Sequence, residues 1–289
     1  MTQARIRSMT SDDAARAWQV AYESLQVAGR AYGWDMPDLD DAARERGTRR
    51  VLHSVVHDPD GAFVAELAGE IVGAGIATRR GSLWFLSLLT VDTRVQAQGI
   101  GRRLLDATLR TLRSAGSICA SDDPKALRRY RAAGFDLQPC YEAKGPLDRS
   151  LLPPVTGVEA ASYDDRREFV EDVARQQRHA PHGPDLDFFA AADRPLFVTD
   201  TAAGRGYVVC ADDGPAVLGA TSAAAAQALL WTAITESTKA ECEIGWVRQD
   251  QQWAIDVALA ARLRLRPTGS FCVRGAVGPM SPYLPNASS

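Results

Sequence analysis

Gln96-Ala97-Gln98-Gly99-Ile100-Gly101-Arg102-Arg103 is the most informative segment of the chain. It follows Leu83–Val91, an almost continuously apolar run. Such a run predicts a strand buried on both faces, hence a central one. After it, residues 100–114 place Ile100, Leu104, Leu105, Thr108, Leu109 and Leu112 on one side of a helix. The first turn of a helix has unpaired N–H groups and the positive end of the dipole. Those groups hold phosphate well. Gly99 and Gly101 let a pyrophosphate approach the backbone without a Cβ in the way. Gln96 can donate a side-chain hydrogen bond, and Arg102 and Arg103 add positive charge. The stretch therefore reads as a pyrophosphate cradle at a strand-to-helix joint.

Working outward towards the N-terminus, residues 61–67 and 70–78 read as antiparallel strands joined at Ala68-Gly69. Residues 48–57 predict a helix. Before it lies a polar loop with Tyr32 and Trp34, and before that a helix through Ala14, Ala15, Trp18, Ala21, Leu25 and Val27, ending near Gly29. Thr10-Ser11-Asp12-Asp13 supplies its capping chemistry, and residues 4–9 alternate like an edge strand. Towards the C-terminus, residues 117–120 predict a short strand, and residues 124–133 a helix stopped by Gly134. The order is β-α-α-β-β-β-α-β-α-β.

At this point the sequence resembles the GNAT acetyltransferase superfamily. That family's acyl-CoA loop reads Arg/Gln-x-x-Gly-x-Gly/Ala, and Gln96-x-x-Gly99-x-Gly101 matches every fixed position. A second segment, Asp123-Pro124-Lys125-Ala126-Leu127-Arg128-Arg129-Tyr130-Arg131-Ala132-Ala133-Gly134-Phe135, looks like the family's later helix, with Asp123 where Asn is usual. The resemblance is specific over residues 60–140. It implies direct transfer of an acyl group from acetyl-CoA, or another acyl-CoA, to an amine, with no metal. The implied cofactor contacts are Leu89, Thr90 and Val91, whose strand would polarise the thioester, then Gln96 to Arg103 (Ala97, Gln98 and Ile100 included), and Asp123, Lys125 and Ala126. Tyr130 falls where the family protonates the departing thiolate, a role suited to a phenol. The loop with Tyr32, Trp34 and Asp35 lies where the family builds its acceptor site, and Ser87 could hold a water. No carboxylate stands on the central strand, so no base is named.

The second half repeats the style loosely. Ala132 to Pro139 is echoed by Ala260 to Pro267, each closing a helix, starting a strand and reaching a proline. The expected architecture is α/β (α+β): two GNAT-like domains, each a twisted, mixed but mostly antiparallel sheet flanked by helices. Residues 1–148 would form the catalytic, acyl-CoA-binding copy and residues 149–289 a degenerate one, joined through a Pro-rich linker at 149–154. Aligning Leu229-Leu230 with Leu104-Leu105 puts Ala224 and Ala226 at the glycine places and Thr221 at Gln96; the proline alignment puts Ala258 at Tyr130. The second copy thus has neither cradle nor acid and is expected to support the first or wall the acceptor pocket.

Composition bounds the remainder. The 289 residues are 46% apolar and 24% charged with net charge −3, a globular composition with no footprint for nucleic acid. No apolar run is long enough for a membrane span. The start lacks the apolar core of a secretory signal, which predicts a cytoplasmic protein. Five scattered cysteines and four histidines show no metal spacing; His179 and His182 read as surface residues of a loop, and Trp246 and Trp253 as core of the second domain. The leading function is acylation of a small-molecule amine. The alternatives are acylation of a protein N-terminus or lysine, and a non-catalytic acyl-CoA sensor. Monomer and homodimer are left open.

Overall fold

The computed structural model describes residues 3–33 and 38–285. They form two compact units. One runs to Ile118 and resumes at Asp122–Gly134; the other holds Cys119–Ser121 and continues from Phe135. The first-half elements are β1 (Arg5–Ser8), α1 (Ala14–Tyr32), α2 (Asp41–His57), β2 (Ala62–Leu67), β3 (Glu70–Arg80), β4 (Leu83–Val91), α3 (Ile100–Thr108), β5 (Ala115–Ala120), α4 (Pro124–Ala132) and β6 (Asp136–Pro146). The predicted order holds throughout.

In the first unit the strands run β1-β2-β3-β4-β5. The first three junctions are antiparallel and β4 lies parallel to β5. Two apolar layers cover the sheet. On one face Met9, Ala14, Ala17, Val51, Val55 and Ile76 pack with Trp18 and Leu88 beneath α1 and α2. On the other, Ala65, Val72, Ile100 and Leu104 pack with Leu89 and Val91 beneath α3. Alternate residues of β4 therefore serve opposite layers, as a central strand requires.

Helix boundaries differ from the expected ones for local reasons. α1 runs past Gly29 to Tyr32 and is closed by Gly33 at φ 81°, so Tyr32 is helical and not in a loop. α2 begins at Asp41, where the Asp40 side chain accepts the Ala43 N–H. α3 gives way at Leu109–Thr111 to a 3-10 turn instead of reaching residue 114. There Thr108 and Thr111 hydroxyls donate to the Leu105 and Thr108 carbonyls, competing with the helix ladder. The buried Trp84 indole also donates to the Thr108 carbonyl (3.2 Å) and to Thr111 Oγ1 (3.0 Å). Trp84→Phe would remove both bonds and leave a void at a fully buried position. An expected loss of about 2–4 kcal/mol would be read by urea denaturation.

The second half contains β7 (Glu159–Ala161), α5 (Tyr163–Arg178), α6 (Pro184–Ala191), β8 (Leu196–Thr201), β9 (Gly204–Ala211), β10 (Gly214–Ala220), α7 (Ala223–Thr235), β11 (Glu241–Arg248), α8 (Gln252–Ala260), β12 (Arg264–Arg274) and β13 (Tyr283–Leu284). Up to β12 this is the element order of the first half again. α6 is an addition to the expected elements; Pro184 at its first position reads as the end of the 179–184 loop and disguises a helix start. One sheet of the second unit runs β13-β10-β9-β8-β7. In another run of strands β6 lies between β12 and β11, antiparallel to both. The packing division thus falls at Gly134, although the repeat divides the chain near the 149–154 linker. The core gathers Leu218, Leu229, Leu230, Ile244, Val247, Trp253 and Val257, with Ala143 of β6 among them.

His182 corrects the surface reading of the histidines. It is fully buried, with Nδ1 2.9 Å from the Arg178 guanidinium and Nε2 2.5 Å from the Tyr207 hydroxyl. Glu171 accepts its backbone N–H at 2.6 Å. Burial pushes the Tyr207 phenol well above its ordinary value. Among the described residues no helix is long and apolar enough to cross a membrane, and no cluster of His, Cys, Asp and Glu could hold a metal.

Candidate functional site

The site begins with a fork in the central strand. β4 pairs with β5 only from Leu83 to Leu86, against Ala115–Ile118. Its pairing with β3 continues to Val91, but the register shifts so that Ile76 opposes Leu88 and Ala77 opposes Leu86. Ser87 is the extra residue, a bulge that bends the strand. From Ser87 to Val91 the fork side of β4 therefore offers backbone groups that β5 does not pair. Leu89, Thr90 and Val91 all lie in that open length. The Val91 carbonyl accepts from Ser24 Oγ (3.0 Å) and Gln96 Nε2 (3.1 Å). The Ser87 carbonyl accepts from the Arg50 guanidinium at 2.8 Å. Thr90 Oγ1 is buried and has no hydrogen-bond partner among the described residues.

The loop after β4 is held at its root by Asp92. Its carboxylate accepts the Arg94 N–H at 2.9 Å and grips the Arg94 guanidinium. That guanidinium holds the Asp92 carboxyl below the usual carboxylate range. Asp92 is thereby committed as an anchor and is no candidate base. Beyond it Gln96, Ala97, Gln98 and Gly99 are exposed. Ala97 at φ 64° and Gly99 at φ 77° both take left-handed backbone. Such turns aim successive N–H groups to one side, the geometry of anion-binding nests. For Ala97 this conformation costs on the order of 1 kcal/mol or more, a strain typical of ligand clamps. Gly99 caps α3 with no side chain, so the first-turn N–H groups of α3 keep their free valence.

Gly101 makes room for a group that sequence reasoning missed. A Cβ there would stand 2.8 Å from Arg129 Nη1 and 3.3 Å from Val91 Cγ2. The Arg129 guanidinium of α4 therefore rests against the start of α3. It has no acidic partner among the described residues. Lys125 is its neighbour four residues earlier on the same helix face, and Lys125 Nζ donates to Gln96 Oε1 at 3.4 Å. That spacing, within a segment the family resemblance singles out, was the available signal. Of the two arginines named from sequence, one is engaged elsewhere and the other is exposed. Arg103 donates to the Ala4 carbonyl at 2.6 Å, and Arg102 stands 3.9 Å from Asp106. Arg129 and Lys125 add positive charge at the cradle.

α4 completes the group. Asp123 caps it, accepting the Lys125 N–H at 2.9 Å and the Tyr32 hydroxyl at 3.0 Å. Tyr32, at the end of α1, is so joined to the cofactor segment. Loss of water and the adjacent carboxylate raise its phenol pKa. Ala126 lies in the first turn of α4, and Tyr130, buried, follows Arg129 in the last. Trp34 and Asp35 lie outside the described residues.

The second repeat shows the same place filled. Ser222 caps α7 and accepts the Ala225 N–H at 3.1 Å, while donating to the Ala203 carbonyl. No residue from 221 to 226 has positive φ, and Ala225 and Ala226 are buried. β10 precedes α7 as β4 precedes α3, yet its edge is paired: Leu218 opposes Leu284 and Gly219 opposes Tyr283 of β13. The Pro282 carbonyl accepts the Ala220 N–H at 3.2 Å. The chain's own C-terminal segment occupies the fork that stays open beside β4.

Comparison with known proteins agrees with this geometry. Residues 14–135 match the family described as acetyltransferase (GNAT). Three solved structures share the fold over nearly the whole chain. A candidate acetyltransferase from Pyrococcus horikoshii is 18% identical, with TM-score 0.76, covering 100% of this chain and 96% of its own. A GCN5-related N-acetyltransferase from Sphaerobacter thermophilus is 17% identical, with TM-score 0.57, covering 94% of this chain and 95% of its own. One from Kribbella flavida is 17% identical, with TM-score 0.56 over 94% of this chain and 71% of its own. No curated protein matches the sequence.

Proposed function

Residues 14–135 are a domain of the acetyltransferase (GNAT) family, and from that premise we propose that the chain moves an acetyl or other short acyl group from CoA to the amine of a small molecule. The observation that carries this reading is the open cradle after β4. Left-handed Ala97 and Gly99 expose the first turn of α3, and the guanidinium of Arg129 stands beside it. That combination suits the pyrophosphate of CoA, and the open edge from Ser87 to Val91 suits the amide-bearing pantetheine arm. Backbone N–H groups of Leu89 to Val91 would polarise the thioester carbonyl. The amine nitrogen bonds to that carbon, the carbon–sulfur bond breaks, and Tyr130 hands a proton to the thiolate. The amine enters as its free base, its surplus proton leaves to water, and Tyr130 regains a proton from water before the next turnover. The degenerate second repeat contributes no cofactor site, because Ser222 and β13 fill the equivalent positions.

The test combines binding and turnover. Calorimetry with acetyl-CoA should give one site per chain, and two equivalent sites would count against the proposal. Stabilisation of the folded protein should reach about 2.7 kcal/mol when CoA or acetyl-CoA is at 100 times Kd. Longer acyl-CoAs in the same series rank the acyl chain. A panel of small amines is then screened for release of the CoA thiol. Binding without turnover across the panel would favour a sensor; turnover of peptides alone would favour a protein acceptor.

A further inference from the structure

We propose that the acceptor amine also carries a carboxylate, and that Arg50 binds it beside the bulge at Ser87. The inference rests on the acyl-transfer reading above and names the acceptor class for the same site. Arg50 lies midway along α2, and its Nη2 donates to the Ser87 carbonyl at 2.8 Å and meets Ser87 Oγ at 3.4 Å. Its guanidinium carbon stands 6.0 Å from the centre of the Trp18 ring. No Asp or Glu among the described residues pairs with it. The surrounding protein strips water from the guanidinium and lowers its pKa to about 10, which leaves it a cation at neutral pH.

Arg50 is half-buried, and a partly desolvated cation with no counter-ion among the described residues is unfavourable. Holding one bulged carbonyl does not explain it, since a neutral amide could do that. The remaining donors point to what does. A guanidinium presents five N–H groups in a planar fork that matches a carboxylate. Ser87 engages only Nη2. Nε and Nη1 have no partner among the described residues, and neither is among the buried unsatisfied polar atoms found there. The fork therefore has a free edge that a ligand can reach. Its orientation is fixed by Trp18, whose indole lies so close to α2 that a Cβ on Gly47 would come within 1.9 Å of it. Glycine inside a helix is unfavourable, so its presence at this contact serves the close approach of the ring.

Position completes the argument. Ser87 is the first residue of the open length of β4, and Leu89, where the thioester carbonyl would be polarised, is two residues on, about 7 Å along a strand. A carboxylate on Arg50 thus needs only a short spacer to bring its amine to the reacting carbon. One guanidinium balances one negative charge, which favours a carboxylate over a phosphate dianion. The substrate class is a small amino acid.

The experiment compares each acceptor with its neutral twin: glycine with glycinamide, β-alanine with β-alaninamide, and the other amino acids with their amides. Thiol release gives kcat/KM for the native protein, Arg50→Lys and Arg50→Met, each first checked for unchanged Tm. A parallel series needs no turnover: thermal shifts with N-acetylglycine against N-acetylglycinamide, and N-acetyl-β-alanine against its amide. The native protein should prefer acids at least tenfold in KM. Arg50→Met should lose that preference, bringing the acid-to-amide ratio of KM to within about threefold of one, and Arg50→Lys should recover part of it. Equal handling of acids and amides by the native protein, in both series, overturns the proposal. So does an equal loss for acids and amides in Arg50→Met, which would make Arg50 a brace for the bulge. If acetyl-CoA neither binds nor turns over, the acyl-transfer reading falls; the acetylated acids and amides still report on Arg50 by themselves.

Discussion

Tyr130→Phe should lower kcat by about 100-fold or more while changing the Kd for acetyl-CoA by less than threefold. A positioned general acid contributes about 10²–10⁴ in rate, and the substitution removes only the hydroxyl. The ring stays, and its burial means that packing on α4 is retained. A phenol suits this step because its ordinary pKa lies near that of a thiol. The measurement is kcat at saturating acceptor and acetyl-CoA, set beside Kd from calorimetry. A matching fall in binding would instead make Tyr130 a wall of the cofactor channel. The variant should be most impaired with the poorest thiol leaving group, since that one depends most on the proton.

Gly101→Asp should weaken CoA binding by about 100-fold, or roughly 2.7 kcal/mol, without harming the fold. The Cβ would meet Arg129 Nη1 at 2.8 Å, but a guanidinium at the end of a flexible side chain can move aside. The new carboxylate would then pair with Arg129 and sit in the first turn of α3, taking both the cation and the dipole end that the pyrophosphate needs. An acid in a helix's first turn stabilises the helix. Hence the Tm of the ligand-free variant should hold or rise, while the thermal shift on adding CoA disappears. Gly101→Ala isolates the steric part and should cost far less, because the Arg129 side chain can move aside and Val91 Cγ2, 3.3 Å away, need yield only slightly. A Gly101→Asp protein that still binds CoA at the native Kd would remove the α3 cradle from the site.

Much of this architecture is legible in the amino-acid sequence alone. The element order of the first half follows from periodicity, because runs such as 83–91 and 100–109 bury their faces whatever the distant chain does. The cradle at Gln96 to Gly101 is local too: left-handed turns, glycine and a helix start are properties of neighbouring residues. The loss of that cradle from the second repeat can be read in Thr221 to Ala226, although its cause is half hidden. The missing glycines are visible in the sequence; Ser222 turning back on its own helix is visible only in the fold. The reading of Arg103 as a cradle charge shows the limit. It is in the right stretch, yet it reaches Ala4, 99 residues away in sequence, and a facing cation comes from Arg129.

The amino-acid sequence thus carries most of the strands and helices, the place of the Gln96–Gly101 turn, and the absence of its glycines from the second repeat. These are consequences of backbone conformation and of spacing over a few residues. The tertiary structure alone decided what stands opposite those segments: Arg50 against the bulge at Ser87, 37 residues away; Arg129 against Gly101; β13 along β10; β6 between β11 and β12; and His182 in the core. Such pairings depend on which surfaces exclude water together and on a one-residue shift of register. A bulge, a swapped strand and a buried ion leave no periodic trace, because their energies belong to contacts between distant residues and not to the residues themselves.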